Sequence, residues 1–219
     1  MTDLPLEHVS RPPDDAADDR PPGLFVLHGR GADAQDLLPV VDRLPDAFHV
    51  VSLQAPRAMG PGYTWYALDL SAGGLHQSQP DAEGFRESLD LVNESVAAAT
   101  TAYDLDPNHR GFIGFSQGAI TATALLLEEP ETVDWLAAHH GYLPASHEEL
   151  DPEGIAGTPV LVGAGADDEV IPASRSEAIA ERLSALGCTV TAATYEGGHG
   201  IGPAELEDLV EFATDRLGA

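Results

Sequence analysis

The chain alternates short apolar runs with longer segments in which apolar positions recur every three or four residues. Runs at 23–27, 49–53, 111–115, 135–139, 159–162 and 190–195 are nearly continuous in Val, Leu, Ile, Phe and Ala. Strands covered on both faces have no polar side, so they read as unbroken apolar runs rather than alternating ones. The stretches 34–44, 82–103, 117–127, 174–186 and 204–217 carry the helical period. The last has a clean start: Pro203 suits a first helical turn, and Glu205, Glu207 and Asp208 favour its positive end. This order predicts the α/β class, a mostly parallel central sheet with helices on both faces. Ligands then belong at the carboxyl ends of the strands.

Two segments break the alternation. Residues 11–22 are rich in Asp and Pro, which disfavour both regular structures. They read as an acidic turn between a short strand at 4–9 and the strand at 23–27. Residues 55–80 are Gly- and Pro-rich but contain Tyr63, Trp65, Tyr66 and Leu75. Long loops with such anchors are more often functional than slack.

With 219 residues, 43% of them hydrophobic, the chain suits one domain spanning 1–219 with a full core. No basic start followed by an apolar stretch opens the sequence, and no run reaches the ~20 apolar residues of a membrane span. The expectation is a cytoplasmic protein without integral membrane association. A single cysteine, Cys188, has no internal disulfide partner and is expected to pack as a small apolar residue.

Charge changes the picture more. There are 37 acidic residues, 10 arginines and no lysine, for a net charge of −27. Such a surface argues against nucleic acid and anionic membranes as partners. It suits a salt-rich, halophilic setting, because at ~1 M salt the Debye length falls to about 3 Å and self-repulsion is screened.

The chemistry centres on Gly114-Phe115-Ser116-Gln117-Gly118. Alone, Gly-x-Ser-x-Gly arises by chance about one time in ten in so Gly-rich a chain. Here an apolar strand leads into it and an apolar helix leaves it, as in a nucleophile elbow, where a sharp turn lifts a serine hydroxyl clear of the sheet. An acyl-transfer serine also needs a base, an orienting acid and oxyanion donors. His199 follows the last strand among Gly197, Gly198 and Gly200, and an imidazole can take and return a proton near neutral pH. After the strand at 159–162 stand Asp167, Asp168 and Glu169, and spacing alone does not choose among them. The backbone amide of Gln117 and that of Arg30, between Gly29 and Gly31 after an early strand, are the candidate oxyanion donors. Serine, acid, histidine is the chain order of α/β-hydrolases.

Leu27-His28-Gly29-Arg30-Gly31-Ala32-Asp33, Ala55-Pro56-Arg57, Gly62-Tyr63-Thr64-Trp65-Tyr66, Gly114-Phe115-Ser116-Gln117-Gly118, Asp168-Glu169-Val170-Ile171-Pro172 and Gly198-His199-Gly200 resemble the phospholipase/carboxylesterase family. This group of α/β-hydrolases includes the acyl-protein thioesterases, and the resemblance spans about residues 24–217. It implies Asp168, four residues before Pro172, as the acid, and the amides of Arg30 and Gln117 as the oxyanion hole. It also implies that Trp65, Tyr66 and His28 lie beside the substrate. Two residues depart from the pattern. Arg30 stands where many relatives carry an apolar residue. His140, in His139-His140-Gly141-Tyr142-Leu143-Pro144, stands where serine is usual. The paired histidines lack a His-Glu-x-x-His or Cys partner motif, so no metal site is expected.

The resulting expectation is a cofactor-free serine carboxylesterase without a large lid domain, acting on short to medium acyl esters through Ser116, Asp168 and His199. Thioester or lysophospholipid hydrolysis would use the same residues. A dienelactone-hydrolase-like enzyme would carry cysteine at the elbow. A catalytically silent binding protein would have no use for the intact set. The partner is a small ester or thioester, and the oligomer a monomer or homodimer.

Overall fold

In the computed structural model, which describes residues 4–14 and 20–217, the strands are β1 (His8–Arg11), β2 (Gly23–Leu27), β3 (His49–Leu53), β4 (Arg57–Met59), β5 (Gly62–Thr64), β6 (Leu68–Asp69), β7 (Gln79–Pro80), β8 (Arg110–Phe115), β9 (Trp135–His139), β10 (Pro159–Gly165) and β11 (Thr189–Tyr195). The helices are α1 (Leu38–Val41), α2 (Ala82–Ala102), α3 (Gln117–Glu128), α4 (Ala173–Ala185) and α5 (Pro203–Leu217). Seven strands form one sheet in the order β1-β3-β2-β8-β9-β10-β11. All neighbours pair in parallel except β1, which runs antiparallel along β3.

The two faces of the sheet bury different sets of residues, sorted by the two-residue period of a strand. Phe25, Leu27, Phe112, Leu136, Val160 and Val162 face a large core shared with Leu89, Val92, Ile120, Ile179 and Leu183 of α2, α3 and α4. Leu24, Val26, Ile113, Trp135, Ala137 and Leu161 face a smaller core with Val41 of α1 and Leu209 and Ala213 of α5. Phe25 stacks on Phe112 across β2 and β8 with ring centroids 5.2 Å apart. Each such fully buried side chain contributes roughly 1.5–3 kcal/mol. The odd-numbered positions of β9 and β10 therefore face α5, which carries His139 and Gly163 to that side.

Three expectations need correction. The helix at 34–44 shrinks to the four residues of α1. Pro39 lacks an N–H and its ring would crowd the carbonyl four residues back, so it fits only a first turn. The N-terminal strand is His8–Arg11 rather than 4–9, and it pairs with β3; Leu4 and Leu6 are instead buried in the core. Part of the acidic turn, 15–19, lies outside the described residues. The irregular stretch 55–80 contains two small antiparallel pairs, β4-β5 and β6-β7, and no large lid domain rises from it. No helix among the described residues is long and apolar enough to cross a membrane.

Candidate active site

Ser116 sits between β8 and α3 with φ 53° and ψ −118°, a conformation that L side chains avoid unless the surroundings hold it. Here its N–H donates to the His139 carbonyl at 2.9 Å, and its own carbonyl accepts from Ile120 N–H at 3.1 Å. The flanking glycines serve close approach. A Cβ at Gly118 would overlap the Leu27 carbonyl, and one at Gly114 would press the Gly118 backbone. So the elbow packs directly on β2, and the positive end of α3 points at the serine.

His199, in the loop after β11, has Nε2 2.9 Å from Ser116 Oγ and Nδ1 2.7 Å from Asp168 Oδ2. Asp168, in the loop after β10, is buried, whereas its neighbours Asp167 and Glu169 are exposed. Its Oδ1 accepts from the Val170 and Ile171 amides, both at 2.9 Å. Burial raises the Asp168 pKa, but the Ile171 amide and the imidazoles of His140 and His199 outweigh it, and the carboxyl ends below its ordinary value. It is an ionised acceptor for the His199 ring.

The amides of Arg30 and Gln117 donate to no backbone carbonyl among the described residues. The Arg30 N–H belongs to the same peptide unit as the Gly29 carbonyl, and in a trans peptide the two point in opposite directions. His28 Nδ1–H donates to that carbonyl at 2.7 Å, while His28 Nε2 accepts from Ala55 N–H at 3.1 Å. His28, together with the Ala32 N–H at 3.3 Å from the same carbonyl, thus fixes which way the Arg30 amide points. Burial lowers the His28 pKa, in keeping with a neutral ring that donates once and accepts once.

Trp65, Tyr66 and His28 were expected beside the substrate, yet all three are fully buried and none lines the groove. They tie the loop of β5 to the elbow. Gln117 Oε1 accepts from Thr64 Oγ1 at 2.8 Å and Trp65 N–H at 3.1 Å, and its Nε2 donates to the Tyr66 carbonyl at 3.1 Å. Trp65 Nε1 donates to the His28 carbonyl at 2.8 Å. One side chain therefore couples Gly-Phe-Ser-Gln-Gly to Gly-Tyr-Thr-Trp-Tyr, two motifs far apart in the sequence.

The groove itself, about 160 Å³, is lined by Ser116, His199 and Arg30 together with Leu68, Leu75, Ile120, Tyr142, Val170 and Ile171. Leu75, Tyr142, Val170 and Ile171 lie in segments singled out in the sequence, but their place as the wall of the groove, with Leu68 and Ile120, was not read from it; Leu75 and Val170 are exposed large hydrophobics. A larger hollow of about 230 Å³ between Arg11, Val41 and Phe48 contains neither serine nor histidine. The ligand atoms of His140, Asp168 and His199 lie within 4.8 Å of one another. They are already hydrogen-bonded among themselves, which leaves no converging lone pairs for an ion.

Fold and site together define an α/β hydrolase. The chain belongs to the phospholipase/carboxylesterase family, whose model matches residues 16–216. It is 26% identical to acyl-protein thioesterase 1 of Candida albicans over 206 residues, 86% of this chain and 89% of that protein. The fold is similar to the crystal structure of the Bacillus cereus carboxylesterase, with a TM-score of 0.84 at 24% identity over 96% of this chain and 94% of that one. It is also similar to the crystal structure of esterase PE8, with a TM-score of 0.82 at 28% identity over 96% of this chain and 98% of that one.

Proposed function

We propose that the protein is a serine carboxylic-ester hydrolase working through an acyl-enzyme on Ser116. The observation that carries this reading is the continuous hydrogen-bonded row Ser116 Oγ, His199, Asp168, with steps of 2.9 and 2.7 Å. Ser116 Oγ attacks the acyl carbonyl as His199 Nε2 takes its proton. The tetrahedral oxyanion lies against the Arg30 and Gln117 amides. His199 then protonates the leaving alcohol or thiol as the carbon–oxygen or carbon–sulfur bond breaks. Water, deprotonated by His199, releases the acid and regenerates the serine. Asp168 holds the imidazole tautomer and stabilises its cation throughout.

The small volume of the groove, about 160 Å³, supports short to medium acyl chains, with Leu68, Leu75 and Ile120 as the apolar wall. The similarity to a thioesterase supports thioesters as a second substrate class, since a thiolate leaving group asks less of His199 than an alkoxide does. The acidic, lysine-free composition supports work in a salt-rich cytoplasm. Nitrophenyl esters of increasing chain length, assayed in high KCl against wild type and Ser116→Ala, test the reading. Loss of turnover in the variant and a maximum at short to medium chains support it. Equal rates for the two proteins would sink it.

A further inference from the structure

Behind the triad acid lies a second histidine–carboxylate pair that the acyl-transfer steps do not use. His140, just past β9, has φ 53°, and its side chain is 0% exposed, against 19% for His199 at the groove. Its Nδ1 is 2.9 Å from Asp168 Oδ2, and its Nε2 is 3.1 Å from Glu205 Oε2. Glu205 enters from the first turn of α5 and is 1% exposed. Its Oε1 is 2.6 Å from His139 Nδ1.

Proton counting follows from this geometry. A neutral imidazole has one N–H and one bare lone pair. With a carboxylate oxygen at each nitrogen, that lone pair would face another lone pair in a buried site. Either the ring carries both protons or one carboxyl is protonated. Both carboxyls have further donors: Asp168 takes two amides and His199, and Glu205 takes His139. Groups so supplied with donors stay ionised. His139 Nδ1 donates to Glu205, while its Nε2 is buried without a hydrogen-bond partner among the described residues.

We propose that His140 is a buried imidazolium that positions the triad aspartate and, by sharing Asp168 Oδ2 with His199, limits how firmly that carboxylate holds a proton on the base. Glu205 is its counterion. The inference rests on Ser116, Asp168 and His199 acting as the triad. Its consequence is an esterase whose base stays free at lower pH than it would beside an unshared aspartate. The groups facing His140 are Asp168 from the loop after β10, Glu205 from α5, adjacent His139, and His199, whose ring lies 5.5 Å away and nearly perpendicular. The Phe115 ring closes another side at 5.5 Å. Beyond Glu205, Tyr195 of β11 donates to Asp208. Burial alone would lower the His140 pKa, but the bonds to Glu205 and Asp168 carry it above its ordinary value.

Long-range proton–nitrogen NMR of the histidine rings in the full-length wild type, assigned with His140→Asn, reads the charge directly. Both His140 nitrogens should be protonated at pH 7 and 8; a neutral tautomer at pH 7 would overturn the proposal whether or not the protein hydrolyses esters. Kinetics read its effect. In His140→Asn the cation is gone and Glu205 remains, so the acidic limb of kcat/KM moves to higher pH by on the order of one unit. In His140→Asn/Glu205→Gln both charges are gone and the limb returns most of the way. A limb that stays put in His140→Asn while kcat falls would assign His140 a packing role only. If the variant does not fold, the wild-type NMR, assigned instead through bonds from the backbone to the His140 ring, decides.

Discussion

Gly163 of β10 and Glu205 of α5 occupy one space: a Cβ on Gly163 would overlap the Glu205 carboxylate and lie 2.8 Å from His139 Nδ1. The glycine is what admits a charged side chain under the sheet. Gly163→Ala should push Glu205 off His139 and His140 and cost about 1–3 kcal/mol, the usual range for overpacking a filled interior. Urea unfolding of the variant checks this. A midpoint within error of wild type would mean that Glu205 moves aside freely.

The Glu205 pair should also set the acid limit of stability. Burial raises the carboxyl, but His139 and His140 outweigh it and hold its pKa down at about 2. A folded-state value below the unfolded one means stability present above the unfolded pKa of ~4.3 and lost as pH falls toward 2. The loss is on the order of 3 kcal/mol for a shift of about two units. Thermal melts from pH 6 to 2 should show this decline, and Glu205→Gln should flatten it.

Removing the His28 ring tests the oxyanion peptide without touching the groove. In His28→Ala the Gly29 carbonyl keeps only the longer 3.3 Å bond from Ala32 N–H, and the Ala55 amide loses its His28 acceptor. The Arg30 amide is then held less firmly. The account expects kcat to fall by about 10- to 100-fold with KM within about threefold, a little less than the loss of an oxyanion donor outright. Arg30→Ala keeps the amide and should hold kcat on a neutral ester within a few-fold of wild type. Steady-state kinetics on nitrophenyl acetate and butyrate decide both.

Salt should stabilise the fold. Thirty-seven carboxylates against 10 arginines leave most negative charges without a cation, and exposed pairs such as Arg11–Asp42 and Arg86–Asp90 contribute little. Screening should raise the melting temperature by at least about 5 °C between 0.1 M and 2 M KCl. A melting temperature indifferent to KCl would remove the halophilic reading.

Much of the site can be read from the chain because its parts are local. Strand, serine and helix are contiguous around Ser116, and His199 sits in a glycine loop directly after a strand. Which of Asp167, Asp168 and Glu169 turns inward needed a family resemblance, and burial of Asp168 between exposed neighbours agrees with it. Other roles are hidden because they depend on which elements meet. Glu205 reads as an acid favouring the start of α5, and only the packing of α5 on β9 and β10 makes it a buried counterion. A glycine inside a strand marks a close approach, but Gly163 falls just past the strand read at 159–162 and joins β10 only in the structure. Trp65 and Tyr66 read as rim aromatics in a loop, yet Gln117 draws that loop inward until both rings are buried.

The most direct test of the account is covalent labelling with a fluorophosphonate in high KCl, followed by peptide mapping. The account predicts stoichiometric modification of Ser116, none in Ser116→Ala, and labelling slowed by at least about 100-fold in His199→Ala. Wild-type protein that takes up no label, or takes it up on another residue, would contradict it.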